Sequence, residues 1–186
     1  DNFGEAHAFL KVILGINPAQ PEAWALKAVL AEMETGDPTA FREARDQALG
    51  SWKDNPEVDF LIGRVLSRKY RFREAAESQL RAIKYDPKFL PAKLQLALDY
   101  LSLGEEEKTW PLVKEVSAAD QYNVLAYNLE ILEKEIASFD SVKSDHFIIR
   151  LPANEAKLYG DRALALLEEA RTVLCPKYGV TLNKPT

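Results

Sequence analysis

Apolar residues recur along most of this chain at the i, i+3, i+4, i+7 spacing of a helix face, not in the alternation of a half-buried strand. Residues 21–35 carry Trp24, Ala28 and Ala31 on one stripe, residues 56–69 carry Phe60, Gly63 and Leu66, and residues 89–103 carry Leu94, Ala97 and Tyr100. A further helix over 123–138 carries Tyr127, Leu129 and Leu132 before charges accumulate. Between these segments a shorter signature returns as Phe3-Gly4-Glu5-Ala6, Phe41-Arg42-Glu43-Ala44 and Phe72-Arg73-Glu74-Ala75. Each Ala is followed twelve residues later by Pro18, Pro56 or Pro87, and Asn17, Asn55 or Asp86 stands before that proline. Three in-phase copies of F-x-E-A-x10-[ND]-P make an internal repeat.

Each part of the repeat has a physical purpose. Phe and Glu-Ala open a helix of about four turns, and the alanine suits a place where two helices approach closely. Asn or Asp before Pro stops the helix, because proline disfavours helical backbone in the residue before it. The proline is then suited to open the next helix. Gly36, the turn at 69–71 and Gly104 separate the helices of each pair.

Pairs built in this way resemble the tetratricopeptide repeat, W-x2-L-G-x2-Y…A-x3-F…A…P. Gly63 stands at the small-residue position of the first helix, with Ala28 and Ala97 equivalent, and Phe3, Phe41 and Phe72 take the aromatic that opens the second. The resemblance covers about residues 1–138. It implies an all-α solenoid of about three to four helical hairpins, with the first helix of each pair lining a concave groove. Projected on this chain, Ala25, Val29, Phe60, Arg64, Arg68, Leu94, Leu98 and Tyr127 face that groove. It further implies a peptide or protein partner, held by Arg64 and Arg68 through an acidic group and by Phe60, Leu94, Leu98 and Tyr127 through apolar contact. The Lys and Asn that a chaperone-tail binder sets in its groove are replaced by Ala25 and Val29.

The departures from the repeat carry expectations of their own. The prolines are spaced so that 36–39 reads as an insertion in a turn. After Pro87 the repeat decays: Thr109 stands for the packing alanine, Pro111 lies near a helix start, and Asp120-Gln121 replaces Asp-Pro. Such decay suits a capping repeat. Residues 1–17 match only the second helix of a repeat, so the phase implies a helix before them and an apolar edge open to self-association.

Beyond residue 138 the pattern changes, which predicts two domains, 1–138 and a small α/β appendix at 139–186. Residues 147–151 read as a strand ended by Pro152, and Leu158, Ala163, Leu166, Leu167, Ala170 and Leu174 mark a helix closed by Cys175-Pro176. Residues 178–182 then read as the approach to another strand. The run Ser144-Asp145-His146-Phe147-Ile148-Ile149, the long helix and Tyr178-Gly179 resemble the opening of a peptidase-MA-like (gluzincin) domain, which in bacterial proteins often follows tetratricopeptide repeats. That family's zinc chemistry needs an H-E-x-x-H helix and a downstream Glu, and the chain contains no H-E-x-x-H. No catalytic residue transfers. The chain itself is therefore read as a non-enzymatic binding scaffold without cofactor or metal; the alternative is the substrate-recruiting part of a longer metallopeptidase-like enzyme.

Composition narrows the remaining classes. With 47% hydrophobic and 28% charged residues the balance is globular. A net charge of -5 weighs against nucleic acid, and no apolar run approaches the ~20 residues of a membrane helix. The single cysteine, Cys175, excludes an internal disulfide and fits a reducing compartment such as the cytoplasm without excluding export. It reads as a structural thiol at a helix end. His7 and His146 have no ligand partners at metal spacing, and His146 reads as a hydrogen-bonding residue at a strand entry. Glu105-Glu106-Glu107 suits a solvated first turn at the positive end of a helix dipole. The segment with Arg64, Arg68, Lys69, Arg71, Arg73, Arg81 and Lys84 is either a solvated face or an attractor of acidic groups. Neither G-x-G-x-x-G nor G-x4-G-K-[ST] is present.

Overall fold

The computed structural model describes residues 2–182. They fall into two compact units that divide between Ala126 and Tyr127. The first unit runs through α1 (Phe3–Ile16), α2 (Pro21–Glu34), α3 (Pro38–Ala48), α4 (Pro56–Arg68), α5 (Phe72–Tyr85), α6 (Leu90–Ser102) and α7 (Glu106–Ala119). Helix α8 (Val124–Ala137) starts in this unit and ends in the second. Packing is densest within the hairpins α2–α3, α4–α5 and α6–α7, and successive hairpins stack through α2 on α4 and α5 on α6. The result is the all-α hairpin solenoid that the repeat resemblance implies.

Carboxylate and amide side chains set the turns between hairpins. Asn17, Asp86 and Asp120 each end a helix, and each side chain accepts a hydrogen bond from the backbone N–H two residues on, at Ala19, Lys88 and Tyr122. The next helix begins only after this Asx turn, so Pro18 and Pro87 lie inside the turn and do not open a helix. Asp120 makes the same turn without proline. Asn55 differs: its side chain caps Glu57 N–H at 3.0 Å and Pro56 opens α4 directly.

The expected insertion at 36–39 is a helix start instead. Asp37 caps the N–H of Thr39 at 2.8 Å, Pro38 takes the first helical position, and α3 begins three residues before Phe41. Helix α3 then ends at Ala48, and the extra length appears as the 49–55 loop at its far end.

The expected decay after Pro87 does not loosen the packing. Thr109 is fully buried, and its hydroxyl lies 3.3 Å from both the Ala97 and Glu105 carbonyls. Pro111 sits six residues into α7, beyond the start, where an N–H would have bonded Glu107. Ile62, Leu66 and Leu96 are the largest apolar side chains sealed in this unit, each stabilising it by about 1.5–3 kcal/mol.

Among the described residues, one position outside glycine has positive φ. Helices α4, α6 and α9 close with the same pair of backbone bonds. At α4 they run from Arg71 N–H to Leu66 and from Tyr70 N–H to Ser67; at α6 from Glu105 to Tyr100 and from Gly104 to Leu101. The left-handed residue is Gly104 (φ 71) and Gly179 (φ 64) in two of them, but Tyr70 (φ 60) in α4. A side chain there costs roughly 1–2 kcal/mol. Tyr70→Gly is expected to stabilise the unit by about 0.5–1 kcal/mol, the remainder being offset by glycine's larger unfolded-state entropy. A thermal melt with an unchanged or lower Tm would remove the strain argument.

In the second unit β1 (Asp140–Lys143) and β2 (Ile148–Leu151) form an antiparallel hairpin, with Asp140 opposite Leu151 and Val142 opposite Ile149. The sequence reading finds β2 but misses its partner. The expected strand at 178–182 is absent over its described residues, where α9 (Ala153–Tyr178) continues to Tyr178. Pro176 removes only its own N–H from the ladder, and Val180 N–H still reaches the Cys175 carbonyl at 3.0 Å before Gly179 closes the helix. Helix α9 lies close on the hairpin because Gly160 has no side chain: a Cβ there would stand 2.9 Å from Val142 Cγ2.

Candidate functional site

The repeat hairpins are held by contacts that admit only small groups. A Cβ on Gly63 would stand 2.9 Å from the Ala75 carbonyl and 2.3 Å from Gln79 Nε2. Ala28, Ala75, Ala82 and Ala97 are all fully buried. Gln79 and Thr109, both sealed from solvent, reach back to carbonyls of the first helix at Phe60 and Ala97. Small residues thus meet at the crossing of each pair, in the register the repeat requires. In this register of small residues the hairpins resemble tetratricopeptide repeats.

Three helices converge on one buried carboxylate. Asp59 on α4 has no exposed surface and accepts two hydrogen bonds from Arg45 of α3, Nε at 2.8 Å and Nη2 at 2.6 Å. Arg81 of α5 adds a third from Nε at 3.0 Å. Tyr85 OH lies 3.0 Å from Arg45 Nη2, and Ser78 Oγ accepts from Arg81 Nη2 at 2.8 Å. The Asp59 hydrogen bond holds the Arg45 guanidinium above its ordinary pKa against the opposing effect of burial. This cluster is structural, since every charged end is turned to another residue of the same unit.

The groove residues projected from the repeat separate into three groups. Ala25 and Val29 are buried, so that part of the projection is corrected: α2 offers neither to a ligand. On α4, Phe60 is half-buried, packing edge-to-face on Phe89 at 5.4 Å, with the Arg64 guanidinium 5.5 Å from its ring centroid. Arg64 and Arg68 are exposed, while Leu94 and Leu98 on α6 are half-buried. Tyr127, 60% exposed, belongs to the second unit. Beside Phe60 a cleft of about 160 Å³ is lined by Glu22, Glu57, Leu61 and Arg64, among others. Phe89 supports this face and carries no repeat signature that would have marked it.

At the α4–α6 contact Asp99 is sealed from solvent. Gln95 Nε2 donates to its Oδ1 at 3.3 Å and also lies 3.2 Å from Ser67 Oγ. Its Oδ2 has no hydrogen-bond partner. Burial raises the Asp99 pKa, opposed by the hydrogen bonds of Ser67 and Gln95. The folded chain therefore holds this proton more tightly than the unfolded one. The associated stability is complete below the ordinary carboxylate range and is lost as pH rises through the raised folded pKa. Asp99→Asn should raise Tm at pH 7 and match the parent near pH 3.5; parallel melting curves from pH 4 to 8 would contradict this.

The basic segment of the sequence is partly neutralised within the fold. Arg71 pairs with Glu74 at 2.7 Å and Glu32 at 3.0 Å, and Arg81 is held by Asp59. Another opening went unnoticed in sequence: an apolar cleft of about 340 Å³ where Phe3, Phe9, Ile13, Leu30, Met33 and Val65 come together. In the second unit Glu168 of α9 accepts from Ser144 Oγ at 2.6 Å and from His146 N–H at 3.0 Å, and pairs with His146 Nδ1 at 2.8 Å. These hydrogen bonds, Ser144 first, lower the Glu168 pKa. His146 thus helps to hold the hairpin loop, as a strand-entry residue should. Cys175 is half-buried within α9, not at its end. His7 pairs with Glu34 at 2.8 Å. Among the described residues no three His, Cys, Asp or Glu side chains gather as a metal site, and no helix is long and apolar enough to cross a membrane.

No protein-family model and no curated protein matches the chain. In fold it is similar to a crystal structure of MamA, at 20% identity and a TM-score of 0.47, covering 68% of this chain and 77% of that one. It is also similar to the structure of Pseudomonas aeruginosa pilF, at 22% identity and a TM-score of 0.48, covering 73% of this chain and 64% of that one. A second MamA structure aligns at 18% identity and a TM-score of 0.43, over 62% of this chain and 64% of that one.

Proposed function

We propose that the chain is a protein-interaction scaffold whose repeat unit takes a peptide or protein segment along the exposed faces of α4 and α6. The observation that carries this reading is the Phe60 ring. It is half-buried, braced edge-to-face by Phe89 and overlaid by Arg64, with the half-buried Leu94 and Leu98 on the neighbouring first helix. A pre-positioned aromatic beside a cation suits a segment that pairs an apolar side chain with a carboxylate. Arg64 and Arg68 supply the charge for that carboxylate. Tyr127 lies in the other unit, so the proposed surface rests on α4 and α6 alone.

The test reverses the charge. Arg64→Glu combined with Arg68→Glu is expected to weaken capture of partners in a pull-down at least fivefold. Both side chains are exposed, so Tm should move little. Capture equal to that of the parent chain would sink the surface. A large fall in Tm would instead make these arginines part of the fold.

A further inference from the structure

Tyr70 occupies a backbone position that the same motif gives to glycine at Gly104 and Gly179. Its side chain is 81% exposed, so burial does not offset the strain. Its described ring contact is the edge-to-face approach to Phe72 at 5.9 Å, which orients the tyrosine without covering it. A strained, exposed and oriented aromatic contributes little to the core, which directs attention to what it presents to solvent.

The neighbours specify the chemistry. Residues 68–73 read Arg-Lys-Tyr-Arg-Phe-Arg, a basic and aromatic alternation in a chain of net charge -5. Arg68 and Arg73 are exposed on either side of the turn. Arg71 is anchored by Glu32 and Glu74, which fixes the turn, while Arg68 and Arg73 are exposed beside it. We infer that the 68–73 turn is a docking site for a short acidic segment of a protein, with Tyr70 as its aromatic contact and Arg68 and Arg73 as its cations. Tyrosine and arginine together are the side chains that most often carry binding at protein interfaces. The site is one turn wide within an acidic chain, and this favours a short carboxylate-bearing segment over an extended polyphosphate or an anionic membrane. The surface shares Arg68 with the α4–α6 face and goes beyond it through Tyr70 and Arg73, which that face does not use.

The test titrates the chain into a fluorescein-labelled peptide, Glu-Glu-Leu-Glu-Glu-Leu, and follows anisotropy at low and moderate salt. The parent should bind, and added salt should weaken binding. Tyr70→Gly should weaken it at least threefold while raising Tm, a combination that loss of folding cannot produce. Arg73→Glu should weaken it at least fivefold, and Tyr70→Phe should bind within twofold of the parent. Lys84 is an exposed cation that neither surface uses, and Lys84→Glu should also stay within twofold. Tyr70 and Arg73 belong to this turn alone, so failure at those two leaves the α4–α6 reading standing. The inference is overturned if Tyr70→Gly or Arg73→Glu binds as well as the parent. It is equally overturned if the peptide does not bind, or if a six-thymidine oligonucleotide or a phosphatidylserine vesicle binds more tightly than the peptide.

Discussion

Replacing Asp59 with alanine is expected to destabilise the repeat unit by about 3–5 kcal/mol, close to the whole stability of a marginal domain. The carboxylate has no exposed surface and accepts three hydrogen bonds from two guanidinium groups on different helices. Without it, Arg45, with a side chain only 15% exposed, and Arg81 are left as neighbouring cations with one lost partner. The cost is that of stranded charge and not the net worth of the salt bridge, so the control changes both partners. Asp59→Leu combined with Arg45→Met should lie closer to the parent than Asp59→Leu alone. Urea unfolding of the parent, both singles and the double closes the cycle. If Asp59→Ala unfolds within 1 kcal/mol of the parent, the cluster does not join α3, α4 and α5 energetically.

That cluster also shows where sequence reasoning stops. The helices were legible because their apolar stripes and end signals are local, and each is set by residues within about two turns. Asp59, Arg45 and Arg81 lie on three different helices, and none belongs to the repeat signature. Nothing in their spacing distinguishes them from solvated surface charges. The basic segment was visible as composition, but composition could not separate Arg81, held by Asp59, from the exposed Arg68 and Arg73.

The turns were legible in position but less so in mechanism. Asn-Pro and Asp-Pro mark where helices stop, yet Asp120 makes the same turn with Gln121 after it. The working group is the side chain that accepts the N–H two residues on, and proline is an accompaniment. The same confusion turned the start of α3 at Asp37-Pro38 into an expected insertion. In the second unit β1 was missed because Asp-Ser-Val-Lys has one apolar residue and no alternation to read. Its strand is defined by pairing with β2 and by Val142 lying on Gly160. The groove projection failed at Ala25 and Val29 for a related reason. A helix position exposed in one repeat is covered in another by its neighbours, and neighbours are not local.

Gly63→Ala is the change that tests the repeat itself, and it should destabilise the unit by about 1–3 kcal/mol. One added methyl would meet Gln79 Nε2 at 2.3 Å and the Ala75 carbonyl at 2.9 Å. The first clash can be relieved by moving the glutamine, but Gln79 is sealed and its Nε2 serves the Phe60 carbonyl at 3.3 Å. Its Oε1 is already without a partner, so losing the second contact would leave a buried amide unsatisfied at both ends. The second clash is with backbone, and only separation of α4 from α5 relieves it. These two costs can be told apart. Gln79→Ala makes room for the first clash and leaves the second, so Gly63→Ala combined with Gln79→Ala should cost less than the sum of the two single changes. Strict additivity would place the whole penalty on the backbone contact. Stability within 0.5 kcal/mol of the parent for Gly63→Ala would mean that the α4–α5 crossing is not held by close approach at this glycine.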